Sequence, residues 1–428
     1  MMMKQAYDHL VEFGSEVPSW VTSMRKPAWT VFQENGLPNR RHEDWKYTSL
    51  RNLAGMDLKW SHARGLVDGP VVRSFLGDNE WSVVLIDGAF DSSFSKLSGL
   101  PEGVEIKPLN KAFEENPEDV KKALEPSDGK DQGPFELLNQ AFLHSGVFIS
   151  LAKNVRLEKP IHIVFVNTAK PHEYSIFPRV VVNLAQGAEA TLMESHQGLE
   201  GATYLHSGVA KIHVNAGARL SHYKIQNESQ KAYHMQSISV CLERDAHYGS
   251  FVLGLGAQLA RTEFDVAIEG QGADLLLDGL FMVDGNRQID SFSHIDHKVA
   301  NCQSSQTYKG VATGQGRGVF CGKIKVHQGA KQTNAAQLSN SLLLSKEAEV
   351  DCKPILEIDD DDVKCSHGAT IGQLKEDEIF YLQSRGINRP DAVSLLTRAF
   401  AMELVTKVQK SSFARRASHE IEKWVAKI

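Results

Sequence analysis

What the chain lacks narrows its function first. It has five cysteines in 428 residues, an odd number that excludes a fully paired disulfide framework. No Cys-x-x-Cys pair occurs, so neither a complete zinc knuckle nor a single-chain thiolate cage is encoded. A Walker phosphate loop is missing: the nearest approach, Gly318 to Lys323, has the wrong spacing and continues into Ile324. There is no His-Glu-x-x-His helix, and Gly254-Leu255-Gly256 does not extend into a dinucleotide fingerprint. No run approaches the ~18 apolar residues of a membrane helix; Val83–Ile86 and Ile161–Val166 are strand-sized. Met1–Ser15 carries Lys4, Asp8 and Glu12 without a signal-type apolar core. A basic excess is also missing: net charge is -6 and pI about 6.3, against a general nucleic-acid binder. The expectation is a soluble cytoplasmic protein in a reducing compartment.

What is present is average in bulk, with 42% hydrophobic and 23% charged residues, as in globular proteins. The 17 histidines raise the question of metal. Pro18 opens a helical segment with Trp20, Met24, Ala28 and Phe32, stopped by Gly36 and Pro38. Arg40–Tyr47 reads as a short helix or loop, and Trp81–Asp87 as a buried strand. Asn110–Gln132 is polar and broken by Pro117, Pro126 and Gly129; it reads as a poorly packed connector with a helix over Pro117–Leu124.

From about residue 145 a repeat takes over. A small or apolar residue beside a turn-former recurs at Val155, Ala188, Ala218, Ala246 and Ala273, spaced 33, 30, 28 and 27 apart. Gly318 and Ala348 continue it after an interruption. Periods of this size mark stacked architectures. The intervening sequence alternates as strands do, for example Ala273, Leu275, Leu277, Gly279, Phe281 and Val283. The expected fold is therefore mainly β, a right-handed parallel β-helix of about eight coils ~4.8 Å apart. Residues 1–140 form a mostly helical N-terminal region with a short strand and connector, 141–372 the β-helix and 373–428 a C-terminal helical region. In the last, Lys375–Arg385 places Ile379, Phe380 and Leu382 on one side and ends at Gly386. Val393, Leu396, Phe400, Leu404 and Val408 then form a stripe, followed by Phe413, Ile421, Trp424 and Val425. Helices at both ends are expected to cover the edges of the end coils.

The densest chemical motif is Asp361-Asp362-Val363-Lys364-Cys365-Ser366-His367-Gly368-Ala369-Thr370. In a strand, Cys365 and His367 point to one face. Thiolate and imidazole suit iron, zinc or copper(I), but two donors need further ligands from another chain or a carried substrate. The alternative is that Cys365 fills the end coil while His367 bonds a carbonyl. Asp359–Asp362 reads as a solvated turn, and Cys241, Cys302, Cys321 and Cys352 as small buried hydrophobes. A histidine row along stacked coils is conceivable, but the scattered histidines are expected to be single satisfied or exposed residues.

That motif, with Ile379-Phe380-Tyr381-Leu382-Gln383-Ser384-Arg385-Gly386-Ile387, closely resembles the SufB/SufD family of iron–sulfur cluster assembly proteins. Gly36-Leu37-Pro38, Glu43-Asp44-Trp45-Lys46-Tyr47-Thr48 and Cys-Ser-His-Gly-Ala-Thr resemble its SufD branch, since SufB chains typically carry Cys-Glu-His-Glu-Ala. The resemblance implies a β-helix between helical ends and a non-catalytic scaffold, with ATP hydrolysis left to the ATPase SufC. It implies pairing with SufB through the β-helix and SufC docking on the C-terminal helices, where Phe380, Tyr381 and Arg385 are the contact candidates. Sulfur would come from a cysteine desulfurase system, and a transient Fe–S cluster would form at the SufB interface, with no permanent cofactor. His367 maps onto the family's interface histidine, with Cys365 as a further ligand. A homodimer is possible without SufB. A SufB-like chain would instead need a sulfur-accepting Cys241 or Cys302. A carbohydrate-active β-helix enzyme would need a secretory signal and a groove of paired acids or a basic catalytic residue, neither of which is evident.

Overall fold

A computed structural model describes residues 3–13, 17–61, 64–125 and 132–428. Alternation of apolar and polar residues lets each coil place one strand in each of two facing sheets. Gly146–Leu151, Arg179–Leu184, Tyr204–Val214, Tyr233–Leu242, Leu259–Ile268, Gln288–His297, Arg317–Val326 and Glu349–Ile358 stack in parallel as the first sheet. Trp81–Ile86, Ile161–Asn167, Glu189–Gly198, Arg219–Asn227, His247–Gly254, Asp274–Val283, Gln303–Ala312, Asn334–Leu343 and Lys364–Gly372 form the second. The chain is thus a β-solenoid with helices at its N- and C-terminal ends. Ile212, Ile238, Phe264 and Ile295 from the first sheet meet Leu192, Leu220, Leu275 and Leu277 from the second in one continuous buried core.

The repeat marks one corner of this solenoid. Ala188, Ala218, Ala246 and Ala273 are buried and each precedes a second-sheet strand; the registers Arg219↔Glu189, Arg219↔His247 and His247↔Asp274 stack them. Beyond Ala273 the corner continues through Cys302 and Thr333, which precede the next second-sheet strands. Gly318 and Ala348 do not continue it, because both belong to the first sheet, one within a strand and one beside it. Gly318 is small for another reason. A Cβ there would lie 2.1 Å from the Phe281 ring, which fills the space between sheets. Gly318→Ala is therefore expected to cost about 1–3 kcal/mol by overpacking, read as a lower urea midpoint at unchanged m-value.

The helix over Ser19–Asn35 ends at Gly36 with φ +66°. Pro117–Leu124 is helical, but its surroundings are not loosely packed: Leu109, Ala112, Phe113, Val120 and Leu124 are buried against Phe148 and Val181. Prolines and charges dominate the local pattern there, but the described apolar residues pack into one core. Pro126 and Gly129 of that connector lie outside the described residues. The motif Glu43–Thr48 is pinned to the solenoid by Arg261. Its guanidinium lies between the Trp45 and Phe292 rings, 3.9 and 3.5 Å from their centroids, and donates to the Asp44 carbonyl at 2.9 Å.

The C-terminal helices are placed differently from the expectation that they cap the end coil. Arg389–Val405 and Ser411–Val425 lie on the outer face of the second sheet, over Tyr223, Phe251, Leu253, Leu280 and Val311. Arg416 of the last helix reaches Glu80 at 3.0 Å, beside the strand Trp81–Ile86 in the first coils. The chain folds back along its own flank and leaves the last coil bare. Within Arg389–Val405 the buried residues are Ala392, Thr397, Ala401, Leu404 and Val405. Val393, Leu396 and Phe400 are only half-buried, since small residues let the helix lie close to the strands. Phe380 faces solvent and does not share a side with buried Ile379.

Candidate functional site

The bare coil consists of Glu349–Ile358 and Lys364–Gly372, which are the outermost strands of their sheets. The turn between them holds Asp359–Asp362. Asp360 accepts from the backbone N–H groups of Gly329 at 3.0 Å and Asp362 at 3.1 Å, so the acidic run is a solvated turn.

The register Ala335↔Cys365 and Gln337↔His367 fixes which way the motif faces. Ala335 and Gln337 are buried between the sheets, so Cys365 and His367 occupy the corresponding inward positions of the last coil. Because no further coil covers them, Cys365 is half-buried and His367 exposed. Behind His367 the interior is polar. Gln337 Nε2 donates to Gln306 Oε1 at 2.7 Å, and Gln306 Nε2 donates to Ser293 Oγ at 2.7 Å. The Gln337 Oε1 atom has no hydrogen-bond partner. Burial pushes the Cys365 thiol up, which keeps it protonated at neutral pH, whereas a histidine can ligate through a neutral ring nitrogen. Of these two donor types, imidazole needs no proton loss to bind a metal, whereas a thiol must lose one first.

The two exposed edges differ. In a parallel ladder alternate residues direct their N–H and C=O to the same neighbour. Glu349 N donates to the Gly316 carbonyl and Lys364 N to the Thr333 carbonyl. Pro354 therefore occupies an outward position on its strand, where a missing N–H costs nothing inside the protein but interrupts the edge. The strand Lys364–Gly372 has no proline, and Cys365, His367, Ala369 and Ile371 point their backbone groups outward. This second edge is a ready template for an added strand.

The other predicted residues lie elsewhere. Phe380 is 72% and Tyr381 57% exposed, and the Arg385 guanidinium lies 5.3 Å from the Tyr381 ring centroid. Cys302 and Cys321 are buried and Cys241 and Cys352 half-buried. Burial, with Glu269 and Glu243 nearby, pushes the Cys241 thiol up to about 12, and burial raises Cys302. Neither is poised as a thiolate nucleophile, so alkylation of the native chain at pH 8 is expected to modify Cys365 well before Cys241 or Cys302. Mass-spectrometric mapping of iodoacetamide adducts over time checks the order. The histidines are not all single: His196, His206 and His234 converge inside the solenoid. Sequence spacing hid this, because the meeting depends on coil register.

Comparison with known proteins gives a consistent picture. The family profile described as SUF system FeS cluster assembly, SufBD core domain, matches residues 165–400, and that of the SufBD protein N-terminal region matches residues 8–163. The iron–sulfur cluster assembly protein SufD of Escherichia coli is 34% identical over 373 residues, 86% of this chain and 85% of its own. A SufBD family iron–sulfur cluster assembly protein of Synechocystis is 29% identical over 93% of this chain and 90% of its own. The chloroplastic protein ABCI7 of Arabidopsis thaliana is 30% identical over 90% of this chain and 82% of its own.

Proposed function

The chain belongs to the SufBD family of iron–sulfur cluster assembly proteins, and from that premise we propose that it is a SufD-type, non-catalytic scaffold subunit. Its last coil pairs with SufB, and a nascent Fe–S cluster, the cargo, forms where the two coils meet. The observation that carries this reading is the uncapped coil, which holds His367 and Cys365 on its open inner face beside an uninterrupted strand edge. Two donors from this chain leave ligand positions for a partner and for sulfide. Sulfur reaches the interface from the cysteine desulfurase system through the partner, in keeping with the raised thiols of Cys241 and Cys302 here.

Ala369→Pro tests the edge. Its N–H points outward, so the change spares the internal ladder but blocks strand addition. The expected result is a normal thermal midpoint with at least a hundredfold weaker capture of SufB. Undiminished capture would sink pairing through this strand.

The ATPase SufC docks on the C-terminal helices through exposed Phe380, Tyr381 and Leu395, with Arg385 beside the Tyr381 ring. Aromatic anchors with an adjacent arginine are typical of binding hot spots. Deleting residues 388–428 is a poor test, because it would uncover Tyr223, Phe251 and Leu280. The double variant Phe380→Ala/Tyr381→Ala touches only solvent-facing side chains. It is expected to lose SufC in a pull-down at unchanged stability; retained SufC would place the contact elsewhere.

A further inference from the structure

The buried histidines form a second site, remote in the coil order from the open end. His196 lies two residues before the end of the second-sheet strand Glu189–Gly198, while His206 and His234 are register neighbours in the first sheet. All three side chains are fully buried. One ring nitrogen from each lies within 4.8 Å of the others. The His206 and His234 rings stack with centroids 4.9 Å apart, and His196 meets both edge-on at 5.0 and 4.8 Å.

Their hydrogen bonds are incomplete. Neither nitrogen of His206 has a partner, and Nδ1 of His196 has none. Such orphaned nitrogens are costly in a dry interior. The space beside one of them is kept clear: a Cβ on Gly208 would lie 2.8 Å from His206 Nε2.

The remaining nitrogens are arranged as metal ligands usually are, with a carboxylate behind the ring. Glu194 Oε2 is hydrogen-bonded to His196 Nε2 at 3.0 Å; Glu228 Oε2 lies 2.6 Å from His234 Nδ1 but without hydrogen-bond geometry. Lys224 Nζ lies 2.8 Å from His234 Nε2 and also donates to Thr262 Oγ1 at 3.2 Å, so it has another acceptor when that nitrogen turns to a metal. Glu194 is approached by His222 at 3.2 Å and by Gln236 at 3.1 Å. Glu228 accepts from Tyr204, Asn167 and Gln226 at 2.9, 3.1 and 3.1 Å. A divalent cation would give these converging, orphaned nitrogens a partner.

We propose that His196, His206 and His234 hold one first-row divalent transition-metal ion inside the solenoid, distinct from the cluster site at His367. Tetrahedral binding at ~2.0–2.1 Å brings ligand nitrogens to about 3.4 Å apart, a closing reached by small ring rotations. Full burial means the ion is captured as the coils close and exchanges slowly afterwards.

The test uses Co2+ as the probe. The full-length chain is expressed in minimal medium with Co2+, purified, and dialysed against EDTA. The expected result is one Co2+ per chain with the visible absorption of a nitrogen-ligated, tetrahedral ion, retained in His367→Ala and reduced at least tenfold in His206→Gln. No retained Co2+ in the native chain, or equal retention in a folded His206→Gln chain, overturns the site. If His206→Gln does not fold, X-ray absorption on the native chain decides: three imidazole ligands support the site, and their absence overturns it.

Discussion

A His367→Ala chain is expected to join SufB and SufC at normal ratio and to yield a complex with at least tenfold less iron and sulfide. Stability should not change measurably, because the imidazole is exposed and surface substitutions usually stay within about 0.5 kcal/mol. Loss of product without loss of assembly is what a ligand at the interface requires and what a structural residue does not give. Cys365→Ser should reduce the yield less, since the thiol is raised by burial and must lose a proton before it binds. Anaerobic purification of the complex with iron and sulfide assayed makes the comparison. Wild-type cluster yield from His367→Ala would remove this residue from the site.

Arg416→Ala is expected to destabilise the chain by about 1.5–3 kcal/mol, the usual scale of hydrogen bonds to a buried charged group, since Arg416 is itself half-buried. Glu80 is buried and receives Arg416 at 3.0 Å and His162 Nδ1 at 2.7 Å. Against the opposing effect of burial, the contact with His162, helped by Arg416 and the Gly77 N–H, holds its carboxyl down at about 2. Burial lowers His162, Glu80 opposes that, and Arg416 adds to the lowering. The signs follow by linkage. Glu80 contributes stability above its unfolded pKa of about 4.3, and that contribution fades as pH falls through about 2. His162, being depressed, weakens folding once pH drops below about 6.5, where the unfolded chain takes up a proton that the folded one resists. Without Arg416 one of the two effects that lower His162 is gone, so the ring protonates more readily as pH falls and partly replaces the missing positive charge beside Glu80. The defect should therefore be larger at pH 8 than at pH 6 in urea melts. An equal defect at both pH values would mean that Arg416 acts through packing alone.

Much of the fold was readable because one corner of each coil repeats a physical constraint. Ala188, Ala218, Ala246 and Ala273 are small where backbone layers stack, and their spacing is the coil length. The repeat became illegible where that corner carries Cys302 and Thr333, which also fit but do not look alike. Gly318 then matched by composition, although its size answers the Phe281 ring. Helix limits followed from Gly36 and the prolines; burial on Arg389–Val405 did not, because Ala392, Thr397 and Ala401 give a weaker pattern than Val393 and Phe400. At the site, same-face placement of Cys365 and His367 followed from strand alternation alone. Their exposure did not, since it depends on where the C-terminal helices go. His196, His206 and His234 converge only through register between sheets, which no local pattern reports.

The two ends of the solenoid also bear on how far stacking could extend. At the first end each sheet finishes against an antiparallel strand, Ala89–Phe90 on one and Val104–Pro108 on the other. At the last end one edge is interrupted by Pro354 and the other is open. An object that can join at one end only cannot polymerise: once two such ends meet, neither has a surface left to offer. Stacked parallel strands otherwise carry the hazard of open-ended growth into fibres. On the proposed pairing, the exposed backbone that would add a partner's strand would also limit growth of the stacked sheets to two solenoids.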